Sequence, residues 1–152
     1  MDLFRFGGTS ALRAIALAAV MLFAAPAANA VTLPTDTEQE ILIKATLMTF
    51  NDANLTGNYS VLFDKSSAPF RRQITAAKLS DAFKVFRDKK INMDSVVASE
   101  IDSSTPSMDG DGVLQLKGRF KDDEKKIRFD LKFVKEDGVW RLLGINVNYK
   151  EE

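Results

Sequence analysis

The sequence predicts an α+β domain: N-terminal helices packed on a curved antiparallel sheet of about four strands. Three observations carry this. Residues 111–149 hold three stretches of alternating apolar and polar residues joined by short polar turns. Upstream, apolar residues recur at helical spacing. The helical stretches precede the strands instead of alternating with them, which separates the α+β class from α/β.

The three strands fall at about 113–121, 126–135 and 139–149. In the second, Ile127, Phe129, Leu131 and Phe133 alternate with Arg128, Asp130 and Lys132. In the first, Leu114, Leu116, Gly118 and Phe120 alternate with Gln115, Lys117 and Arg119. Opposing Lys121 to Lys126 sets Leu116 against Leu131 and Leu114 against Phe133, so the apolar faces coincide and fix the register. The same register sets Lys117 against Asp130, a favourable cross-strand pair.

The second hairpin turns at Glu136-Asp137-Gly138, where two registers compete. A two-residue Asp-Gly turn sets Phe129 against Asn146 and Leu131 against Gly144. A three-residue loop sets Leu131 against Leu143 and Phe129 against Ile145. The second is preferred because it matches apolar with apolar. It puts Leu143, Ile145 and Val147 on the concave face, Arg141 on the core side, and Trp140 and Leu142 on the outer, otherwise polar face.

From the chain's start, residues 1–30 read as a secretory signal peptide. Arg5 and Arg13 supply the positive front, and Ala14 to Ala25 an apolar run too short to span a bilayer comfortably. Ala28-Asn29-Ala30 is a small-x-small cleavage site, so cleavage is expected after Ala30 and the protein is expected in the periplasm or outside the cell. Residues 31–152 then form one domain by size. Without Arg5, Arg13 and Asp2, the 21 basic and 21 acidic residues become 19 and 20, net −1. That balance points to neither nucleic acid nor an anionic membrane. With no cysteine there are no disulfides, thiol chemistry, thiolate metal sites or lipoprotein anchor.

Thr35 and Glu38 have capping-box spacing and open a long first helix that runs to about Ala53. A short helix is expected at 58–63, and Ser66-Ser67-Ala68-Pro69 reads as a break. Thr75 caps a third helix over 76–89, with Leu79, Ala82, Phe83 and Phe86 on one stripe. A weaker fourth strand is expected at 94–103. Asp109-Gly110-Asp111-Gly112 reads as a turn: a calcium loop starting at Asp109 would need a Glu where Phe120 stands.

This arrangement resembles the nuclear transport factor 2-like (cystatin-like, cone-shaped) superfamily, and within it the small secreted bacterial members of unknown function. The resemblance covers residues 31–149. It rests on a first helix closing with Phe50-Asn51-Asp52-Ala53, a short helix at Leu55-Thr56-Gly57-Asn58-Tyr59, the third amphipathic helix, and a last strand opening with Gly138-Val139-Trp140-Arg141-Leu142. It implies a pocket where the helices close over the concave sheet face, and a homodimer through the convex face.

Enzymes of that superfamily, isomerases and cyclases among them, need an acid or base in the pocket. There is no histidine here, the register turns Asp130 outward, and the concave face is almost wholly apolar. A binding or scaffold domain for a small apolar or amphipathic ligand, with no cofactor and no catalytic residue, is therefore preferred. The alternatives are an isomerase-, cyclase- or hydrolase-type enzyme, or an interaction module with a filled core. Tyr59, Arg71, Ser99 and Arg141 are the candidates for the pocket rim. A core-side guanidinium at Arg141 must find a partner or lie at the edge, and Arg71-Arg72 reads as a solvated turn in preference to an anion clamp. Trp140 and Leu142, as an apolar patch beside Val134, are the candidates for the dimer interface.

Overall fold

The structure is a computed structural model that describes residues 32–121 and 126–150; the candidate signal peptide and its cleavage site lie outside them. Helix α1 spans Asp36–Thr56, α2 Ser60–Lys65, α3 Ala68–Gln73, α4 Ala76–Ala82 and α5 Lys84–Asp88. A 3₁₀ turn at Asp94–Val97 leads to strands β1 (Ile101–Ser103), β2 (Ser107–Met108), β3 (Leu114–Phe120), β4 (Arg128–Glu136) and β5 (Val139–Asn148). The class is α+β as predicted, with five antiparallel strands. The order is β1-β3-β4-β5, and β2 lies beside β1 on the same edge of β3. Among the described residues, no helix is long and apolar enough to cross a membrane.

Helix α1 begins where the capping box puts it. The Thr35 N–H donates to Glu38 Oε2 (2.7 Å), and Glu38 N–H donates to Thr35 Oγ1 (3.3 Å). The helix runs to Thr56, three residues past the expected end, and Gly57 caps it. Its Ile43, Leu47, Phe50 and Ala53 are buried in the same core as Leu114, Leu116, Phe129, Leu131 and Phe133 of the sheet. The β3–β4 register is the predicted one: Leu116 opposes Leu131, Leu114 opposes Phe133 and Lys117 opposes Asp130.

The β4–β5 hairpin takes the two-residue Asp-Gly register next to its turn, the alternative that was not preferred, and follows neither predicted register further on. It turns at Asp137-Gly138, whose φ values of 49° and 79° are those of a type I′ turn. Glu136 opposes Val139 and Phe133 opposes Leu142; the ladder then slips, and Lys132 opposes Gly144 and Leu131 opposes Ile145. Leu143 is the extra residue of a β-bulge. The turn's twist demands one register and the apolar match of Ile145 and Val147 with Leu131 and Phe129 demands another. The bulge satisfies both.

That slip corrects three placements. Leu142 is 4% exposed and faces the core opposite Phe133, and Trp140 shares its face. Neither lies on the outer face, so the apolar patch that argued for a dimer there is absent. Arg141, opposite Val134, is carried by strand alternation to the outer side, not the core side.

Four other elements differ from expectation. Residues 94–97 form a 3₁₀ turn, which leaves only 101–103 as strand. The turn is tied to α1 by buried Asn51, which accepts from Met93 N–H (2.9 Å) and donates to Asp94 Oδ1 (2.7 Å). The short helix begins at Ser60, with Tyr59 preceding it. Ser66-Ser67-Ala68-Pro69 starts α3: Ser67 caps it and Pro69 occupies its first turn, where proline's missing N–H costs nothing. The expected helix over 76–89 breaks at Phe83, whose ring and that of Phe86 meet Phe50 edge-on at 4.6 and 5.2 Å.

Candidate functional site

A cleft of about 210 Å³ lies between α1 and the end of the β4–β5 hairpin. Ile41, Leu42, Ala45, Thr46 and Thr49 form one wall. They fall at i, i+1, i+4, i+5 and i+8, the spacing of a single helix face. The opposite wall is Val139, Trp140 and Arg141, and the floor is buried Leu62, Phe133 and Leu142. The bulge builds this wall, because it lets Trp140 and Leu142 turn inward while β5 still matches β4 further on. Ile41 and Val139 are 60% and 53% exposed, so the cleft's mouth is apolar.

The polar groups are few. Lys65, from the last turn of α2, closes one end and donates to Thr49 Oγ1 (3.2 Å). Thr49 in turn donates to Ala45 O (2.8 Å). Lys135 lies over the Trp140 ring, 5.5 Å from its centroid, a cation–π contact that orients the indole. No lining residue carries a carboxylate or an imidazole. Asp130 is on the outer face, held by Gln115 Nε2 (2.8 Å) and Lys117 Nζ (3.3 Å).

Of the four rim candidates only Arg141 borders the cleft. Tyr59 is 2% exposed and lies in the core. Its hydroxyl donates to Asn54 Oδ1, and Arg87 Nη1 reaches it at 3.4 Å. Burial pushes its phenol above the usual 10.0, and Arg87 pulls the other way. Arg71 is engaged within its own segment, donating to Ser66 O and to Asp64 O (3.3 Å). Ser99 Oγ donates to Ser95 O (2.9 Å). Sequence reasoning missed the α1 wall as a whole, and with it the polar residues Thr46, Thr49 and Lys65. Thr49 continues the Ile41–Ala45 stripe by one more turn and was visible in the spacing. Nothing in the spacing of Lys65 links it to α1.

Larger hollows are less suited to a ligand. One of about 380 Å³ between α1 and β1 is lined by Asp36, Glu40 and Glu100, and the last two pair with Lys44 and Lys121. The Asp109 loop is a turn: Asp109 Oδ1 accepts from Asp111 N–H (3.0 Å) and Val113 N–H (2.9 Å), which occupies that carboxylate oxygen. Among the described residues, no group of three metal-ligating side chains converges. Comparison of the chain with protein-family models, with curated proteins and with solved structures finds no match.

Proposed function

We propose that this chain is a non-catalytic binding domain of nuclear transport factor 2-like type that takes a small apolar or amphipathic ligand into the cleft between α1 and the β4–β5 hairpin. The N-terminal sequence supports export as its route to that ligand. One observation carries the reading: the cleft is walled by apolar side chains and an oriented tryptophan, with no carboxylate or imidazole among its lining. General acid–base chemistry needs such a group within reach of the substrate, and Asp130 points the other way. The volume of about 210 Å³ holds several waters at ~30 Å³ each, so the space is more than a packing defect. It is smaller than the roughly 300–1,000 Å³ of pockets for drug-sized ligands, which favours a slender occupant.

A second reading has its own support. With Ile41 and Val139 exposed at the mouth, an apolar side chain of a partner protein fits the same cleft. Native mass spectrometry of the protein recovered from the periplasm separates the two. A retained small mass, lost when Ala45→Phe fills the cleft, is the expected result. A bare protein with unchanged Trp140 emission across a series of amphiphiles overturns the small-ligand reading in favour of the partner.

A further inference from the structure

The cleft is asymmetric along α1. Ile41, Ala45 and Thr49 follow one another at four-residue intervals and so trace a line about 12 Å long. Towards its start, beside Ile41, lies Trp140, because Lys135 over its ring also acts on Glu38 in the first turn of α1; at its end are the Thr49 hydroxyl and the Lys65 ammonium, 3.2 Å apart. Lys65 pairs with no carboxylate among the described residues. An ammonium offers three protons, and Thr49 takes one.

We propose that this end of the cleft receives an anion, so that the ligand class is a single-chain alkyl carboxylate: tail against Ile41 and Trp140, carboxylate on Lys65 Nζ. The inference rests on the binding reading above and adds the charge and direction of the ligand. Two further cations stand near the cleft, both at the apolar end: Lys135, over the Trp140 ring, and Arg141, whose place opposite Val134 turns its side chain to the outer side of the sheet. A head group drawn to Lys135 would leave the alkyl tail against Lys65 and Thr49, whereas the reverse orientation matches apolar to apolar and charge to charge. Lys65 keeps its bond to Thr49 and donates a second proton to the carboxylate, so binding demands no rearrangement of α2.

Trp140 is the chain's one tryptophan, which makes the wall of the cleft its own reporter. The test titrates the protein, below micellar concentration, with octanoate, octanol and octyltrimethylammonium while Trp140 emission is followed. Octanoate is expected to bind at least about tenfold more tightly than octanol, the effect of one charge-assisted hydrogen bond, and the cation more weakly than either. Lys65→Met is expected to abolish the preference for octanoate over octanol. Ala45→Phe is expected to abolish binding of all three, with circular dichroism confirming the fold. Equal affinity for octanoate and octanol overturns the anion inference while the apolar cleft stands. Persistence of the preference in Lys65→Met overturns the role of Lys65, and octanoate binding unchanged in Ala45→Phe overturns the location. No response to any of the three probes removes the binding reading as well.

Discussion

Gly118 opposes Phe129 across β3 and β4, and the Phe129 ring fills the space a side chain would need. A Cβ on Gly118 would sit 2.9 Å from Phe129 Cζ and 2.7 Å from the Asp102 carbonyl oxygen of β1. The missing side chain lets β1 and an aromatic ring close on the same point, so the sheet's edge and its core meet there.

Two effects oppose each other in Gly118→Ala. Restricting the unfolded chain stabilises by ~0.4–1 kcal/mol. Overpacking against a ring and a neighbouring strand's backbone costs ~1–3 kcal/mol, and the backbone oxygen cannot swing aside as a side chain could. Net destabilisation of about 1–2 kcal/mol is expected in urea unfolding. A gain in stability would show that β1 moves freely.

Asn51→Ala should cost about 1–3 kcal/mol, because the Met93 N–H and the Asp94 carboxylate both lose their partner on α1. Hydrogen exchange at residues 93–97 should accelerate relative to the β4 core. Equal acceleration throughout would mean that the 3₁₀ turn has no tie of its own.

Tyr59→Phe leaves the Asn54 carbonyl oxygen without the hydroxyl's proton, at an expected cost of about 1–3 kcal/mol near neutrality. It should also change the alkaline limb. Burial raises the folded phenol above 10.0, so the unfolded chain ionises first. Stability is complete below that value and falls as pH rises toward the folded one. Urea midpoints from pH 8 to 11 should decline less steeply in the variant; parallel declines would refute the assignment to Tyr59.

The capping box predicts an acid limb of opposite sign. The Thr35 backbone N–H, then its hydroxyl, hold the Glu38 carboxyl below its usual 4.5. Its contribution is present above that pH and lost as pH falls through the folded value. Thermal unfolding of Glu38→Gln between pH 3 and 7 should approach the parent in acid and fall below it near neutrality. Thr35→Ala should cost ~1 kcal/mol. A constant gap between Glu38→Gln and the parent would exclude the ionised box.

The elements whose local signals agree were legible. In β3 and β4 a period of two, a short connector and opposite charges at Lys117 and Asp130 all select one register. At Thr35 the cap and its Glu38 partner are three residues apart in sequence and need nothing distant. The hairpin was not legible, because its turn and its apolar pattern call for registers one residue apart. A bulge at Leu143 leaves no mark on a sequence read as pure alternation. The error propagated: every residue between the turn and the bulge changed face, which inverted Trp140, Arg141 and Leu142 and hid the cleft. The break at Phe83 was equally invisible, since Phe50, the ring that Phe83 and Phe86 both approach, lies on another helix. Lys65 reaches α1 only through the fold of α2.

The outer edge of β3 carries a further consequence. Its partners are three residues of β1 and two of β2, with Pro106 between them. Proline has no N–H to offer an incoming chain, and fragments this short give it no run of backbone to copy. One side of the sheet is thereby closed to runaway growth, a safeguard that matters most while neighbouring copies are still unfolded and their strands are unclaimed.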